Sequence, residues 1–270
     1  MRIHNQISGF TEGDPIEGCP CLALFDICNA FPTIAHTWLF AVLAGINLSP
    51  KVFRLIKLLY HNSRAYPVGV GTGELLFIVL SGVRTGCPLS ATLFLLALNP
   101  FVHMLNYLIV DPVVPSSCLC ADDVGSALRA LKSLSVHRSV FNLCARVAGM
   151  HLKPSKCFIV ITVVNISPEL IFAVKNWLQR NIPEWSDFQV VDCARYLGFF
   201  LGRDGRENTY KDPCEKYLSR VDELALAQAP ALGTLIRYNE RVATVFSYVA
   251  QVMPPPDPKR FCALEQRGVH

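Results

Sequence analysis

Residues 116–130 read Ser-Ser-Cys-Leu-Cys-Ala-Asp-Asp-Val-Gly-Ser-Ala-Leu-Arg-Ala, and the arrangement of the central sheet is inferred from them. Two strand-like runs flank the acid pair Asp122-Asp123, which predicts a hairpin whose turn presents both acids. A further acid, Asp26, directly follows the apolar run 22–25, a pattern typical of a buried strand. Three acids at two strand ends are therefore candidates for one site.

The order of the predicted elements places these acidic segments in one sheet. Strand, helix, strand, strand, helix, strand is the order of an α+β fold with a split βαβ, ferredoxin-like sheet. In that topology the first strand lies beside the hairpin, so we expect Asp26 to approach Asp122. Before the acidic hairpin we expect helices at 36–44, 50–60 and 88–108, the last kinked or broken at Pro100, and a further hairpin at 64–80. After it we expect a helix at 133–148, closed by Gly149, and a strand at 157–163.

The remainder of the chain is predicted to be mainly helical. A helix at 168–180 and strands at 188–191 and 195–201 come first, and two helices at 210–227 and 231–252 follow. The run Pro254-Pro255-Pro256 should end the ordered region.

Composition sets wide bounds on function. The 270 residues are 51% hydrophobic and 17% charged, and that charged share is below the usual quarter of a soluble domain, so a substantial core is expected. The net charge of +4 is compatible with a polyanionic partner but does not argue for one.

The cysteines and apolar runs indicate the compartment. There are eleven cysteines, including Cys19-x-Cys21 and Cys118-x-Cys120, with no Cys-x-x-Cys pair and no His pair at zinc spacing. An odd count without a secretion signal predicts reduced thiols in an intracellular chain of the nucleus or cytoplasm. Apolar runs such as 93–98 and 158–164 are shorter than a membrane span, so no membrane association is expected.

The three acids have a chemical interpretation and a simpler alternative. Hard divalent cations prefer carboxylate oxygens, and two such cations a few Å apart can bridge an attacking hydroxyl and a leaving pyrophosphate. An aspartate at a strand end is equally an ordinary turn residue, and paired acids at a hairpin tip are often only solvated. The acids alone do not distinguish a metal site from solvated turn residues, so other segments of the sequence are needed.

Five segments together resemble the reverse transcriptase domain of non-LTR retrotransposons, and they occur in that family's order. The resemblance implies an RNA-directed DNA polymerase with a palm followed by helical, thumb-like structure. Its partners would be an RNA template, a DNA primer and deoxynucleoside triphosphates, while the oligomeric state stays open. The segments are 25–31 (Phe-Asp-Ile-Cys-Asn-Ala-Phe), 82–90 (Gly-Val-Arg-Thr-Gly-Cys-Pro-Leu-Ser), 121–123 (Ala-Asp-Asp), 149–157 (Gly-Met-His-Leu-Lys-Pro-Ser-Lys-Cys) and 196–198 (Tyr-Leu-Gly).

The resemblance also assigns roles in catalysis. Asp26 and Asp122 would bind two Mg²⁺ ions, with Mn²⁺ as a substitute, and Asp123 would sit beside them. Lys156 would protonate the leaving pyrophosphate. The ring of Phe31 would lie under the sugar and exclude a 2′-hydroxyl, the group that distinguishes RNA from DNA. A core phenylalanine and a surface lysine are the ordinary alternatives for the last two.

Nucleotide and primer contacts follow from the same resemblance. In segment 82–90, glycines such as Gly86 let the backbone approach the nucleotide, Arg84 could pair with phosphate, and Pro88 and Ser90 complete the motif. A Gly/Pro-rich turn before a helix is the alternative. The hairpin of Tyr196, Leu197 and Gly198 would grip the primer.

Departures from the family pattern affect rate more than chemistry. Pro32 stands where a second acid is usual, Thr85 where glutamine is usual, and Cys120 where an aromatic residue precedes the Ala-Asp-Asp signature. Base-pair positioning and turnover are therefore expected to be impaired.

The resemblance covers about residues 5–202 well and the thumb loosely. We therefore expect a remnant of the fingers at 1–21, a palm at 22–166 with an inserted hairpin at 64–80, a primer-grip hairpin with thumb-like helices at 167–253, and a tail at 254–270. The missing fingers strands would further impair activity. The main alternative is an inactive retroelement remnant that at most binds nucleic acid. Another palm enzyme, such as an RNA-templated RNA polymerase or a nucleotide cyclase, is disfavoured by Phe31 and segment 82–90.

Overall fold

A five-stranded sheet lies at the centre of the first of two units. The computed structural model describes residues 15–67, 74–109, 117–163 and 166–269. The first unit ends at Val191 and the second begins at Asp192. The strands of the first unit are β1 (Cys21–Asp26), β2 (Ser63–Ala65), β3 (Phe77–Val79), β4 (Ser117–Cys120), β5 (Asp123–Leu128), β6 (Phe158–Ile161) and β7 (Gln189–Val191).

The strand order of this sheet is β4-β5-β1-β6-β7. Strand β5 is antiparallel to both β4 and β1, and β6 is antiparallel to β1, whereas β7 is parallel to β6. Strands β1 and β4 consequently run in the same direction with β5 between them. This is a split βαβ arrangement, so the α+β prediction for the sheet is confirmed.

Strands β2 and β3 form a separate antiparallel pair, as the hairpin predicted at 64–80 requires. The turn of that hairpin falls largely on residues 68–73, which lie outside the described residues. Most of the fingers remnant predicted at 1–21 also lies outside them.

Three helices of the first unit begin at a proline. Pro50, Pro88 and Pro168 each open a helix, because the missing proline N–H has no intrahelical partner at that position anyway. Of the kink or break predicted at Pro100, the break is absent, since the helix continues through Pro100 to Leu108. The helices are α1 (Ala30–Thr33), α2 (His36–Gly45), α3 (Pro50–Tyr60), α4 (Pro88–Leu108), α5 (Leu134–Ala148) and α6 (Pro168–Asn181).

One face of the sheet forms the core. Along β5, Val124, Ser126 and Leu128 are buried and alternate with more exposed neighbours, the period of two expected of a strand with one covered face. From β1, the ring of Phe25 lies 4.7 Å from that of Phe141 on α5 and 5.7 Å from that of Trp185. The acidic strand ends are thus anchored on a well-packed aromatic cluster.

Helix α4 is long and apolar enough to cross a membrane by length and composition, alone among the helices of the described residues. Its Leu93, Phe94 and Leu98 are, however, almost inaccessible and belong to the same core cluster as Phe25. Burial of this kind is what a core helix requires, so α4 packs as a helix of the first unit.

The second unit has a hairpin and a small aromatic core. Phe199, Tyr210 and Val249 are buried together there. Its elements are β8 (Cys193–Tyr196), β9 (Phe199–Gly202), α7 (Gly205–Leu226), α8 (Ala231–Arg237), α9 (Ser247–Ala250) and α10 (Pro258–Val269).

Two sequence predictions for this unit are wrong. The single helix expected at 231–252 is interrupted by a π-helical turn, Tyr238–Val242, and a 3₁₀ turn, Ala243–Phe246. Order does not end at Pro254, because α10 follows and its Phe261 ring packs 4.6 Å from that of Phe246. The packing of Phe261 against Phe246, which local sequence does not reveal, accompanies the helix after Pro254.

Candidate functional site

The sheet brings two acidic strand ends into direct register. Asp26, the last residue of β1, is the cross-strand partner of Asp123, the first residue of β5, and Asp123 is in turn the partner of Cys120 on β4. Directly opposed residues on antiparallel strands project from the same face with Cβ atoms about 4.5–5.5 Å apart. Asp26 and Asp123 therefore share one face of the sheet, while the expected approach of Asp26 to Asp122 stays a prediction.

Asp122 lies in the turn of the same hairpin. The two residues between the paired Cys120 and Asp123 are Ala121 and Asp122, and Ala121 has φ +54°. Two-residue hairpin turns need positive φ because only then does the turn match the strand twist. Such a conformation costs a residue with a Cβ about 1–3 kcal/mol. The strained residue, Ala121, directly precedes Asp122 in the turn.

The three carboxylates act on one another. Burial raises the pKa of the Asp123 carboxyl above its ordinary value, and the neighbouring carboxylates of Asp122 and Asp26 raise it further. Like charges so close favour the binding of a cation, which relieves their repulsion.

The donor set suits a hard cation shared with a substrate. Mg²⁺ is commonly held by one or two protein carboxylates, with water and substrate phosphates completing its octahedron. In the parts of the chain that the structure describes, no group of three or more His, Cys, Asp or Glu side chains is placed to hold a metal ion by itself. Carboxylates at these strand ends could therefore supply only part of the coordination of such an ion.

Segment 149–157 is tied to the backbone around Asp26. The amide of Lys153 donates to the carbonyl of Asp26 at 2.9 Å, and the amide of Cys28 donates to the carbonyl of His151 at 2.8 Å. The amide of Asp26 donates to Cys157 Sγ at 3.4 Å. Lys156 lies in the 3₁₀ turn just before β6 with an exposed side chain. The structure thus brings the segment of Lys156 to the end of β1.

Gly82, in segment 82–90, lets its backbone lie close to the residues that follow β1. Gly82 has φ +86°, and a Cβ there would lie 2.7 Å from the carbonyl oxygen of Pro32. Its amide donates to Ile34 O at 2.7 Å, and that of Val83 to Phe31 O at 2.8 Å. Gly86 also has positive φ, +83°, but among the described residues no atom lies within 4 Å of the point where its Cβ would stand.

Arg84 and Ser90 make contacts that the sequence did not predict. The Arg84 guanidinium donates to Leu59 O at 2.9 Å, at the end of α3. Ser90 is buried, and its hydroxyl donates to Arg84 O at 2.6 Å and lies 3.2 Å from Tyr60 Oη. Ser90 therefore fixes the turn before α4, with Pro88 in the first position of that helix.

The side chain of Phe31 is half-buried, so that it packs against the core and also remains partly accessible to solvent. Its ring stacks on that of Phe94 with centroids 5.1 Å apart and planes at 24°. The core interpretation of Phe31 thus holds for one face of the ring, while part of the side chain is solvent-accessible.

The segment 196–198 forms the turn of the β8–β9 hairpin in the second unit. Leu197 and Gly198 have φ values of +50° and +85°, the sign pattern of a type I′ turn. The hydroxyl of Tyr248 donates to Leu197 O at 2.6 Å, and a Cβ on Gly198 would meet the Tyr248 ring at 3.1 Å. Tyr248 thus fixes this turn within its own unit.

A buried polar group that the sequence did not predict lies beneath the acidic hairpin. His137 Nε2 lies 2.9 Å from Ser126 Oγ, which lies 2.8 Å from Ser117 Oγ. Two signals could have revealed it: His137 interrupts the apolar stripe of α5, and Ser126 stands between the inward residues Val124 and Leu128.

Comparison with known proteins assigns the family. The mixed α+β fold fits a polymerase, and a family model described as reverse transcriptase (RNA-dependent DNA polymerase) matches residues 1–201. Because this match covers 201 of the 270 residues, the chain belongs to the reverse transcriptase family. Family membership implies a nucleic-acid template and primer and nucleotide substrates. A search of curated proteins finds no match.

Proposed function

We propose that the chain carries the palm and thumb-like region of an RNA-directed DNA polymerase from a non-LTR retrotransposon. The observation that carries this proposal is the cross-strand pairing of Asp26 with Asp123 beside the turn of Asp122. Family membership supports the reaction class. The order of the five segments, which begins with the residues around Asp26, supports the non-LTR type.

The proposed reaction is nucleotidyl transfer. The primer 3′-hydroxyl oxygen loses its proton and attacks the α-phosphorus of a deoxynucleoside triphosphate, so that a phosphodiester bond forms. The bond between the α-phosphorus and the oxygen that bridges it to the β-phosphate breaks, and pyrophosphate leaves. Asp26 and Asp122 would hold two Mg²⁺ ions, or Mn²⁺ in their place. These ions would stabilise the negative charge that develops on the attacking and leaving oxygens. Asp123 would keep the local field negative, and exposed Lys156 would donate a proton to pyrophosphate.

Nucleotide selection would depend on the segments around β1. Phe31 would block a 2′-hydroxyl with the accessible part of its ring. When a nucleotide binds, the Arg84 guanidinium would leave the neutral carbonyl of Leu59 and donate to a phosphate oxygen instead. The negative charge of the phosphate makes that hydrogen bond stronger. The backbone at Gly86 would approach the triphosphate, supported by Pro88 and Ser90 at the start of α4. Primer contacts would fall to the turn of Tyr196, Leu197 and Gly198.

A second candidate is an inactive remnant that at most binds nucleic acid. It is favoured by the replacement of usual family residues at Thr85 and Cys120 and by the engagement of Arg84 with the protein backbone. Both features would reduce positioning of the base pair and the triphosphate without removing Asp26 or Asp122.

Primer extension on an RNA template distinguishes the two candidates. The purified chain is incubated with a labelled DNA primer annealed to RNA, deoxynucleoside triphosphates and Mg²⁺, and products are resolved by length. We expect Mg²⁺-dependent extension that stops when a chelator is added. Retention of the primer–template in a gel-shift assay without any extension would support the remnant instead.

A further inference from the structure

A series of buried hydrogen bonds lies directly beneath the acid-bearing hairpin. Ser117 on β4 and Ser126 on β5 are each 2% exposed, and His137 on α5 is 0% exposed. Ser117 Oγ and Ser126 Oγ are 2.8 Å apart, and Ser126 Oγ is 2.9 Å from His137 Nε2. The other ring nitrogen, Nδ1, lies 3.1 Å from the carbonyl oxygen of Ser133. Each side-chain polar group of the series therefore has a partner.

The chemistry of the partners fixes the direction of these hydrogen bonds. A carbonyl oxygen can only accept, so His137 Nδ1 carries the proton and donates to Ser133 O. In a neutral imidazole Nε2 must then accept, so the Ser126 hydroxyl donates to it. Ser126 Oγ can therefore accept from the Ser117 hydroxyl. Burial lowers the pKa of His137 to about 4, which keeps the ring neutral near pH 7.

The strand at the edge of the sheet is also fixed from its outer side. Among the strands of the described residues, β4 has a neighbour only in β5. The Asn106 carboxamide on α4 donates to Ser117 O at 2.9 Å and accepts from Ser117 N at 2.8 Å. Asn106 thereby takes the place of a strand neighbour at the base of the hairpin, and Ser117 is held through both its main chain and its hydroxyl.

The His137 ring contacts both acid-bearing strands. Its plane stacks on that of Phe25 at 17°, with centroids 5.3 Å apart, and Phe25 immediately precedes Asp26. Ser126, its hydrogen-bond partner, lies three residues after Asp123 on β5. One side chain therefore links the strand of Asp26 to the strand of Asp123 from beneath the sheet.

We propose that His137, Ser126 and Ser117 are positioning residues that hold the β4–β5 hairpin in the register that sets Asp122 and Asp123 against Asp26. The catalytic consequence rests on the proposed function. All three side chains are buried and act through the backbone of the hairpin. A slip of the hairpin would leave buried hydroxyls and a ring nitrogen without partners, a cost that an all-apolar contact would not impose.

Kinetics of matched variants test this role. Ser126→Ala removes the central hydroxyl, whereas Val140→Ala removes buried volume from the same helix as His137 without touching the hydrogen bonds. We expect Ser126→Ala to lower kcat for primer extension about tenfold or more, with KM for the nucleotide unchanged, because small displacements of reacting groups are costly. Ser126→Thr, which keeps the hydroxyl, should restore most of kcat. Equal losses of kcat in Ser126→Ala and Val140→Ala would overturn the proposal.

Nuclear magnetic resonance gives a readout that does not depend on activity. In the full chain with ¹⁵N-labelled histidine, His137 should be the tautomer protonated on Nδ1. The amide resonances of Asp26 and Asp123 should shift in Ser126→Ala and stay in place in Val140→Ala. If the wild-type chain extends no primer, the proposed function fails and these spectra alone decide the inference. A ring protonated on Nε2, or unshifted amides in Ser126→Ala, would overturn it.

Discussion

On the proposed function, Phe31 would serve both the core and the nucleotide site. It packs on Phe94 and also lies five positions after Asp26, where its ring could limit the space beneath a nucleotide sugar. We expect Phe31→Val to let ribonucleotides in, lowering the preference for deoxynucleotides by roughly tenfold or more, since the excluded group is a single hydroxyl. Relative incorporation of the two nucleotides on one primer–template measures this preference.

Phe94→Leu is the matched control for that experiment, because it removes the same ring stack from the buried side. It should lower stability and leave the preference between the two sugars unchanged. An unaltered preference in Phe31→Val would show that Phe31 is a core residue only.

The lowered pKa of His137 predicts that the fold is less stable in acid. Its pKa is about 4 in the folded chain, chiefly because of burial, and near 6.5 when unfolded. Between these values the unfolded state binds the extra proton, so stability present above pH 6.5 is lost as the pH falls towards 4. The loss should approach about 3 kcal/mol, at 1.36 kcal/mol per pKa unit. Urea denaturation across this range measures it.

The same titration of His137→Phe isolates the contribution of the histidine. This variant keeps a ring against Phe25 but cannot bind the proton, so its stability should decline less over the window. Carboxylates titrate in both proteins and cancel in the comparison. Parallel curves for wild type and variant would contradict the assignment.

At the scale of elements, the end of α5 depends on Gly149. Gly149 has φ +73°, and a Cβ there would lie 2.8 Å from the carbonyl oxygen of Thr33. Gly149→Ala should therefore destabilise the first unit by about 1–3 kcal/mol. Among the described residues, no atom lies within 4 Å of a Cβ added at Gly45, the end of α2, so Gly45→Ala is a control expected to be neutral or stabilising. Equal midpoints of urea unfolding for both variants would contradict this.

Sequence predicted the elements that local patterns determine. The strand-like run that follows the acid pair predicted β5, and Gly149 predicted the end of α5, because both signals are local in the sequence. The pairing of Asp26 with the hairpin could be predicted from topology. The Asp26–Asp123 register needed the structure.

What the sequence did not predict depends on contacts between distant residues. The partners of His137, the Asn106 contact to Ser117 and the Leu59 carbonyl bound by Arg84 are all set by tertiary packing. The packing of the helix that contains Phe261 is likewise a contact between distant residues. Local propensity is a weak guide wherever such packing competes with it.

For the whole molecule, exposed apolar surface on the β2–β3 hairpin predicts self-association. Phe77 is 59% and Leu80 67% exposed, and Leu76 is similarly accessible. Contiguous apolar patches of this kind promote association in water. We expect the purified chain to be polydisperse by light scattering and the double variant Leu76→Gln, Leu80→Gln to be more monodisperse. Phe172→Gln, at a single exposed ring on α6, is the control expected to change little.

The central claim is that Asp26 and Asp122 form the metal-binding pair of a polymerase. Its most direct test compares Mg²⁺-dependent primer extension by wild type, Asp26→Asn, Asp122→Asn and, as a control on α7, Asp222→Asn. Each of the first two variants removes a carboxylate charge and should lower the rate by roughly 10²- to 10³-fold with an unchanged circular dichroism spectrum. Asp123→Asn should lose less and Asp222→Asn almost nothing. Extension that persists undiminished in both Asp26→Asn and Asp122→Asn would contradict the account.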